Sequence, residues 1–507
     1  MGARPTGAPT GRVRRARTMC ISLRRQAAHA VERDKDRLAK AHRDTASRTT
    51  APDRHRQHGA AQPGADRAAS QTLLVVTRRS RPGSRLAAGT LAVVAVCVVP
   101  APASAAMLKM FALEPSLKSP DQIALGPDRA LWFTQNDAHD KRKDSVLGRI
   151  TTTGETRAVA VPRGSQPLAL TPGPDGALWY AAAGTDVARL GRVTPAGVEE
   201  LLLPAGIDSA NGIVTGSDGA LWFTNGGRIG RLVPGAAPTF IPVPHVTGFL
   251  QQIIADPSGD LWFTVDNTIR RITPAGTLST FRLPPPASYA DDIALTDDGA
   301  LWFTAYDDPR IGRIAPDDHI RMYDLPEPGQ PDAITVGPDH AIWFIVGLST
   351  LERITTDGDV TKLTMPNSDR AFGEDLTSGP DGAIWFTRQI PKSESSYESR
   401  SGTIGRIPVA GRHFLTARLT TDRFRTRSGR LLRISFTAAR RAAGAVQLDH
   451  AGASSYHPAA KRIIHAHSGA NRVTLRIPRR PGSYRLLLHL QVPGQTADDT
   501  GRVTITR

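Results

Sequence analysis

The stretch Gly379-Pro-Asp-Gly-Ala-Ile-Trp-Phe-Thr387 is one of seven versions of a single phrase in this chain of 507 residues. Each of the seven tryptophans of the protein belongs to one copy: Trp132, Trp179, Trp222, Trp262, Trp302, Trp343 and Trp385. The copies are 40 residues apart from Trp222 to Trp262 and 47 apart from Trp132 to Trp179. A period of this length is typical of repeat architectures. The phrase therefore predicts seven copies of one structural unit.

The copy around Trp222 shows why the unit is predicted to be a four-stranded sheet. Short β-rich runs at 211–215, 220–224 and 228–232 are separated by Asp-Gly and Asn-Gly turns, and these turn residues accept the positive φ of tight hairpins. An outer strand ending in Leu-Pro follows in several copies, as at Leu283-Pro284. One such sheet cannot bury its own faces, so copies must pack radially. We expect an all-β protein with a seven-bladed β-propeller over 107–411.

The two ends of the repeat region are predicted to meet. Residues 108–115 resemble an outer strand without a blade of their own, whereas the copy around Trp385 lacks a clean outer strand. We expect the first to complete the second, since ring closure hides two sheet edges. Both neighbouring copies carry long insertions, at 135–145 and 388–400. These insertions would form a rim or partial lid, or would simply be surface loops.

A different all-β module is predicted from about Arg423 to the end of the chain. It contains five alternating runs, at 431–437, 445–449, 471–477, 483–490 and 502–506. Their number and spacing favour a small β-sandwich of immunoglobulin-like type over 423–507. We expect this sandwich to contact the cell envelope or another protein.

Charge divides the chain into blocks. Residues 1–85 hold 20 Lys and Arg against 6 Asp and Glu, and 412–507 hold 18 against 4, which leaves 26 against 37 for 86–411. The repeat region is therefore acidic between two basic flanks. Only nine of the 64 basic residues are lysines, and no nucleic-acid-binding motif accompanies the charge. No nucleic-acid partner is expected.

An export signal is predicted at 86–105. Basic residues up to Arg85 precede an apolar run from Leu86 to Val99, and Ala103-Ser-Ala105 is a small-residue cleavage site. We expect a secreted protein that begins at Ala106, without a transmembrane anchor because the run is too short. Residues 1–85 would be a disordered or mis-annotated extension together with the basic start of the signal. Cleavage would also remove both cysteines, Cys20 and Cys97.

The repeated phrase, followed by Ile-Gly-Arg and then by Leu-Pro, resembles the repeats of the streptogramin B lyases, also called virginiamycin B lyases. The resemblance covers about 107–411. It implies a seven-bladed propeller that opens a cyclic depsipeptide at its ester by Mg²⁺-assisted elimination. It also implies a Glu-Pro-His-Gly phrase before one innermost strand and a second Glu nearby, with the His acting as general base or acid.

The chain departs from the family at these catalytic positions. No innermost strand is preceded by a Glu and a His at the required spacing, and the closest frame is Gln330-Pro331-Asp332-Ala333. That frame keeps the proline and loses both chemical groups. No catalytic residue is assigned from the sequence.

Acids and amides nevertheless recur just before the innermost strands. The predicted ligand-binding funnel is lined by Asp121, Asn211, Gln251, Asp291, Gln330, Asp332 and Glu374. Second acids follow at Asp292 and Asp375. Oxygen ligands suit Mg²⁺ or Ca²⁺, and Asp332 and Glu374 are the predicted metal ligands. The alternative is that these acids accept hydrogen bonds from backbone N–H groups where the strands begin.

Three functions remain open from the sequence. The first is a carbon–oxygen lyase that acts on a cyclic ester or depsipeptide. The second is a non-catalytic propeller that binds a small molecule, a cyclic peptide or a protein. The third is a metal-dependent lactonase. We expect a monomer in each case.

Overall fold

The computed structural model describes residues 108–506, except 136–144, 185–186, 205–208, 247–249, 306–307, 326–328, 348–349, 366–371, 392–398, 410–413, 415–416, 422, 451–457 and 493–494. The signal-peptide prediction and the extension at 1–85 lie outside the described residues. Within them the regular structure is β-strand, apart from one 3-10 turn at Pro115–Leu117. None of the described residues forms a helix that is long and apolar enough to cross a membrane.

The repeat region forms four-stranded antiparallel sheets, which we call blades and number in chain order. Strand β1 is Lys109–Ala112. Blade one contains β2 (Pro120–Leu125), β3 (Leu131–Gln135), β4 (Val146–Ile150) and β5 (Thr156–Ala160). Blade two contains β6 (Ser165–Pro172), β7 (Leu178–Gly184), β8 (Arg189–Thr194) and β9 (Gly197–Leu202). Blade three contains β10 (Ile213–Thr215), β11 (Leu221–Asn225), β12 (Arg228–Leu232) and β13 (Thr239–Pro242).

The remaining blades repeat this order. Blade four contains β14 (Leu250–Ala255), β15 (Leu261–Val265), β16 (Thr268–Ile272) and β17 (Leu278–Arg282). Blade five contains β18 (Ala290–Leu295), β19 (Leu301–Ala305), β20 (Arg310–Ile314) and β21 (Ile320–Asp324). Blade six contains β22 (Pro331–Val336), β23 (Ile342–Val346), β24 (Thr350–Ile354) and β25 (Val360–Thr364). Blade seven contains β26 (Phe372–Ser378), β27 (Ala383–Pro391) and β28 (Ser399–Pro408).

Blade seven takes its fourth strand from the start of the repeat region. Strand β1 pairs antiparallel with β28, with Phe111 opposite Ile404. Phe111 also stacks on Trp385 at 5.4 Å between ring centroids. The predicted pairing of the first strand with the last blade is confirmed.

The insertion in blade seven is partly β-strand. In blade seven, residues 388–391 and 399–400 continue β27 and β28 as one long hairpin. The rest of that insertion, and 136–144 of the insertion in blade one, lie outside the described residues.

A brace of Asp, Trp and Arg explains the phrase in chemical terms. In blade one the turn residue Asp128 accepts hydrogen bonds from Trp132 Nε1 at 3.0 Å and from Arg149 Nε at 2.6 Å. Partial burial opposes ionisation, but these hydrogen bonds and the Arg149 charge hold the pKa of Asp128 below its usual value. A tryptophan and an arginine bind in the same way to Asp175, Asp218, Asp339 and Asp381.

The glycine of Ile-Gly-Arg leaves room for an aromatic ring that packs over it from the neighbouring strand. A Cβ on Gly148 would lie 2.1 Å from the ring of Phe133 on the neighbouring strand. Blades four and six have larger residues there, Arg270 and Glu352, and both are buried. Arg270 extends to the carbonyl of Pro244, to which its Nη1 donates at 2.6 Å.

The threonine that ends the phrase links adjacent blades. Thr224 Oγ1 accepts from Gly212 N at 2.8 Å and donates to Gln251 O of blade four at 2.8 Å. Thr387 does the same from blade seven to blade one, where its Oγ1 donates to Asp121 O at 2.7 Å. Both hydroxyls are fully buried, so each link is shielded from water.

Two further sheets follow blade seven and share one core. The strands are β29 (Ala417–Leu419), β30 (Arg423–Arg427), β31 (Leu431–Ala438), β32 (Ala442–His450), β33 (Pro458–Ala466), β34 (Gly469–Arg476), β35 (Gly482–Val492) and β36 (Gln495–Thr506). One sheet is β29-β31-β34, and the other contains β33, β32, β35, β36 and β30. Side chains of both sheets, among them Ile434 and Leu486, form a single buried cluster. Each of the five predicted runs contains a strand, but the first sheet begins at Ala417, before the predicted boundary at Arg423.

The C-terminal sheets are joined to blade six. Strand β36 pairs antiparallel with β25, with Val360 opposite Asp498, so one nine-stranded sheet runs from blade six into the C-terminal part. Arg418 strengthens the junction through Asp359, with Nε to Oδ1 at 3.0 Å. The two parts are therefore less separate than the sequence indicated.

An aromatic ring from the linking segment completes blade six. In blades four and five an outer-strand ring stacks on the phrase tryptophan, as Tyr323 does on Trp302 at 5.1 Å. Blade six has Leu363 in the equivalent register position. Phe414, which follows the last blade, instead packs edge-on against Trp343 at 5.3 Å. The blade thus depends on a residue outside its own repeat.

Candidate functional site

A β-bulge near the start of the innermost strand positions the predicted site residues. Six blades show a register shift at this point, for example between Pro120 and Ile123 in blade one. In five of them the first residue inside the shift is a predicted funnel residue: Asp121, Gln251, Asp291, Asp332 and Glu374. A bulge adds a residue to one strand and redirects side chains. The predicted equivalence of these five positions is confirmed.

Asn211 and Gln330 do not lie inside such a shift. Asn211 precedes β10, and its Nδ2 donates to Leu250 O of blade four at 3.1 Å. Gln330 precedes β22, and its carbonyl accepts from Gly347 N at 3.1 Å. The Asn211 side chain is thus engaged in linking two blades.

The second acids of the bulges bridge neighbouring blades. Asp375 accepts from Leu376 N of its own blade and from Ile123 N of blade one, both at 2.8 Å. Asp292 accepts from Ile293 N at 2.8 Å and from Ile334 N of blade six at 3.0 Å. Each carboxylate therefore satisfies two backbone donors that the bulges remove from the strand ladder. For these two acids the structure supports the backbone hydrogen-bonding alternative.

Three acids from three blades come close enough to influence one another. Burial, the charge of Asp292 and the charge of Asp121 raise the pKa of Asp375 well above its usual value, against the lowering effect of the Ile123 and Leu376 hydrogen bonds. These residues are separated by up to 254 positions in the sequence, between Asp121 and Asp375. The acids at the bulges of blades one, five and seven therefore lie near one another.

The predicted metal ligands are not part of a larger ligand cluster in the described part of the chain. Across the described part of the chain, no group of three or more His, Cys, Asp or Glu side chains is placed to hold one. The predicted ligands Asp332 and Glu374 lie in blades six and seven, and both are half-buried. Ca²⁺ takes about six to eight oxygen ligands, whereas Mg²⁺ keeps several waters and is held by one or two carboxylates. We therefore derive no reaction step through a metal.

A histidine base is also missing from the bulges that the structure describes. The residues inside the six register shifts are Asp, Glu, Gln, Ala or Leu. His340, the histidine nearest in sequence to the frame at Gln330–Ala333, lies in the Asp339-His340 turn and binds Asp297 through Nδ1 at 2.7 Å on an exposed surface. This histidine therefore uses its Nδ1 at the turn end of blade six.

One buried polar cluster was not anticipated from the sequence. In blade two, Tyr180 takes the place of the phrase phenylalanine, and its hydroxyl donates to Glu200 Oε1 at 2.6 Å. Arg189 Nε lies 3.4 Å from Glu200 Oε2 and its Nη1 donates to Gly164 O at 3.1 Å. Burial and the Glu200 contact raise the pKa of Tyr180, so the phenol stays protonated. The only sequence signal was the exchange of Phe for Tyr.

The repeat region is similar to known proteins in sequence and in structure. The sequence model of the virginiamycin B lyase family matches residues 102–226 and 198–422. A streptogramin B lyase structure is 28% identical over 59% of this chain and 96% of its own, with a TM-score of 0.50. A catalytically inactive histidine variant of virginiamycin B lyase from Staphylococcus aureus, solved with quinupristin, is 27% identical over 60% of this chain and 99% of its own, with a TM-score of 0.51.

No curated protein matches the chain at a significant level. The two family matches together span 102–422, which is more than half of the 507 residues and includes every blade. The repeat resemblance and the bulged, braced blades agree with that match. The chain therefore belongs to the virginiamycin B lyase family.

Proposed function

We propose that this protein is a secreted, seven-bladed β-propeller with an immunoglobulin-like C-terminal sandwich, and that it binds a cyclic peptide or lactone at its central funnel without cleaving it. The family membership supports the ligand class, because a relative was solved with quinupristin. Half-buried Gln251, Asp332 and Glu374 supply amide and carboxylate groups for orienting such a ligand.

This proposal rests on the hydrogen bonds that the second acids of the bulges accept from the backbone. Asp292 and Asp375 each accept two backbone N–H groups from two blades. A carboxylate held in this way maintains the bulge geometry and has fewer lone pairs for a metal or a substrate proton. The funnel then acts as a rigid, acidic recognition surface.

The second candidate is a carbon–oxygen lyase that opens a cyclic ester. Family membership favours it directly. It would require a base and an electrophile, and the frame at Gln330–Ala333 offers only Asp332 as a charged group. A metal-dependent lactonase would need a metal-ligand cluster, and the described residues hold no group of three or more such ligands.

Quinupristin is the probe that separates binding from cleavage. We expect calorimetric binding with a Kd that is the same with 5 mM Mg²⁺ or EDTA, and no linear product by mass spectrometry. Gln251→Ala with Glu374→Gln should weaken binding, because both side chains lie in the bulges. Arg157→Gln with Arg282→Gln, on exposed outer strands, is the matched control.

Three outcomes would overturn parts of this proposal. Mg²⁺-dependent ring opening would establish the lyase. A rise in melting temperature with Mg²⁺ that is lost in Asp332→Asn with Glu374→Gln would establish the metal site. Equal binding losses in the bulge variant and its control would place the ligand elsewhere.

A further inference from the structure

One face of the C-terminal sheets carries arginines in adjacent strands. In β30 the outward residues are Arg423, Arg425 and Arg427, all exposed, and the intervening Phe424 is buried. Strand β36 lies beside it in parallel, with exposed Arg502 opposite Arg423. We call Arg423, Arg425, Arg427 and Arg502 the arginine face.

The positive charge of the arginine face is not balanced by acids of its own module. In the described residues, none of its four guanidinium groups has a carboxylate partner at ion-pair distance. Residues 412–507 hold only four acids, and two of these are already used. Asp449 accepts from Gln447 Nε2 at 2.9 Å, and Asp498 binds His489 at 2.5 Å. In the blades, by contrast, the strand arginine of the brace faces an aspartate, as Arg149 faces Asp128 at 2.6 Å.

The strand register places arginines of the arginine face opposite one another, which lowers stability unless an anion neutralises their charge. Neighbouring strands lie about 4.8 Å apart, and like charges directly opposite one another destabilise a sheet. Arg423 and Arg502 are such a pair, whereas Arg485, opposite Arg502 on the next strand, has Asp449 opposite it on its other side. The other sheet of the module avoids the conflict, because Arg433 faces Thr474 and Arg472 faces Ser435.

We propose that the arginine face binds a linear polyanion with repeated phosphate groups and no bases. Residues two apart in a strand are separated by about 6.6 Å, so Arg423, Arg425 and Arg427 form a regular row that an extended polymer can follow. Arginine binds phosphate oxygens through two parallel hydrogen bonds. Thr504, opposite Arg425, adds an exposed residue with a hydroxyl to the same face.

The absence of stacking groups separates this partner from a nucleic acid. Single-stranded nucleic acids are held by aromatic side chains on which the bases stack. The aromatic residues of the described β30 and β35, Phe424 and Tyr484, are both buried in the core. The face can therefore recognise charge and spacing but has no platform for bases.

The test uses the full chain and long-chain inorganic polyphosphate, with affinity measured from 50 to 200 mM salt. Variant one replaces Arg423, Arg425, Arg427 and Arg502 with Gln. The matched control replaces four other arginines of the same module with Gln: Arg433, Arg440, Arg472 and Arg476. These are exposed like the arginines of variant one. We expect variant one to lose about tenfold or more in affinity at 50 mM salt and to flatten the salt dependence, because fewer counterions are released.

The control should retain most of its affinity and its salt dependence. A melting temperature of variant one that equals or exceeds that of the wild type would show that the fold is intact. An equal affinity loss in the control would mean that net charge alone binds polyphosphate, and would overturn the arginine face. Tighter binding of an oligonucleotide than of polyphosphate at matched charge, or no binding at 50 mM salt, would also overturn it.

Discussion

The hydroxyl of Thr387 donates a hydrogen bond to the carbonyl of Asp121, 266 residues earlier in the chain, at 2.7 Å. The bond links the phrase of blade seven to the innermost strand of blade one. It is reinforced by Gln389 Nε2, which donates to Pro120 O at 3.0 Å. The first and last blades are thus held together by the same threonine contact that joins blades three and four.

Removing this hydroxyl should loosen the junction between the first and last blades. Thr387→Val keeps the volume but leaves the Asp121 carbonyl without its donor in a buried place, which costs about 1–3 kcal/mol. We expect a lower melting temperature in thermal unfolding. Thr304→Val is the control, since Thr304 is equally buried but donates only a long bond, 3.5 Å, to Asp292 O of its own blade. Equal losses in both variants would contradict a special role for the junction.

The Asp–Trp–Arg brace can be tested in two blades that differ by one contact. Asp381→Ala should leave the fully buried Trp385 Nε1 unpaired, because Asp381 accepts that bond at 3.0 Å. In blade five Trp302 Nε1 already has no partner, since Thr296 Oγ1 occupies Asp298 Oδ1 at 2.5 Å. We expect Asp381→Ala to cost about 1–2 kcal/mol more than Asp298→Ala in chemical unfolding. A larger loss for Asp298→Ala would refute the brace.

The raised pKa of Asp375 predicts a pH dependence of stability. The pKa of Asp375 is raised in the folded state, so the folded protein keeps this proton above about pH 4, where the unfolded chain loses it. Stability therefore falls as pH rises from about 4 through the folded pKa. Asp375→Asn cannot titrate, so its melting temperature relative to wild type should increase over that window. The loss of one hydrogen bond adds a constant offset, and a flat difference from pH 4 to pH 9 would refute the prediction.

Blade six should depend on the segment that follows the propeller. Phe414 is buried against Trp343, and Arg353 lies over its ring at 5.0 Å. Phe414→Ala should cost about 3–5 kcal/mol, the usual cost of emptying a buried aromatic site. A chain ending at Ala410 should melt lower than one ending at Thr421. Equal melting temperatures would contradict the dependence of blade six on Phe414.

Export can be checked independently of the fold. We predict that the secreted protein starts at Ala106, since the small-residue site Ala103-Ser-Ala105 follows the apolar run. Mass spectrometry of the exported protein should show this terminus. An exported protein that retains residues 1–85 would contradict the signal-peptide prediction.

Much of the fold follows from the repeat, because the phrase carries its own local physics. Asp-Gly and Asn-Gly accept the turn conformations, and alternating apolar residues place Trp and Phe inward. The pairing of β1 with blade seven was also readable, since an unpaired strand and an incomplete sheet stand at opposite ends of one repeat region. The equivalence of the five bulge residues followed from their common place in the period.

Other features required the tertiary structure. The sequence marked Asp121, Asp332 and Glu374 as the acids of interest, whereas the described contacts put Asp292 and Asp375 between blades. Their partners, Ile334 N and Ile123 N, become free donors only because a bulge interrupts each ladder, and a bulge has no reliable sequence signal. The brace arginine is visible in the sequence as a repeated residue. Its partner, the turn aspartate, is identified only when the two strands are paired in the structure.

The sequence by itself determined the period, the strand and turn residues and the family, because these depend on local chemistry repeated seven times. The tertiary structure alone decided which carboxylates meet, how β36 extends blade six and which arginines stand opposite one another. These relations join residues up to 254 positions apart, and strand register, not composition, sets their distances.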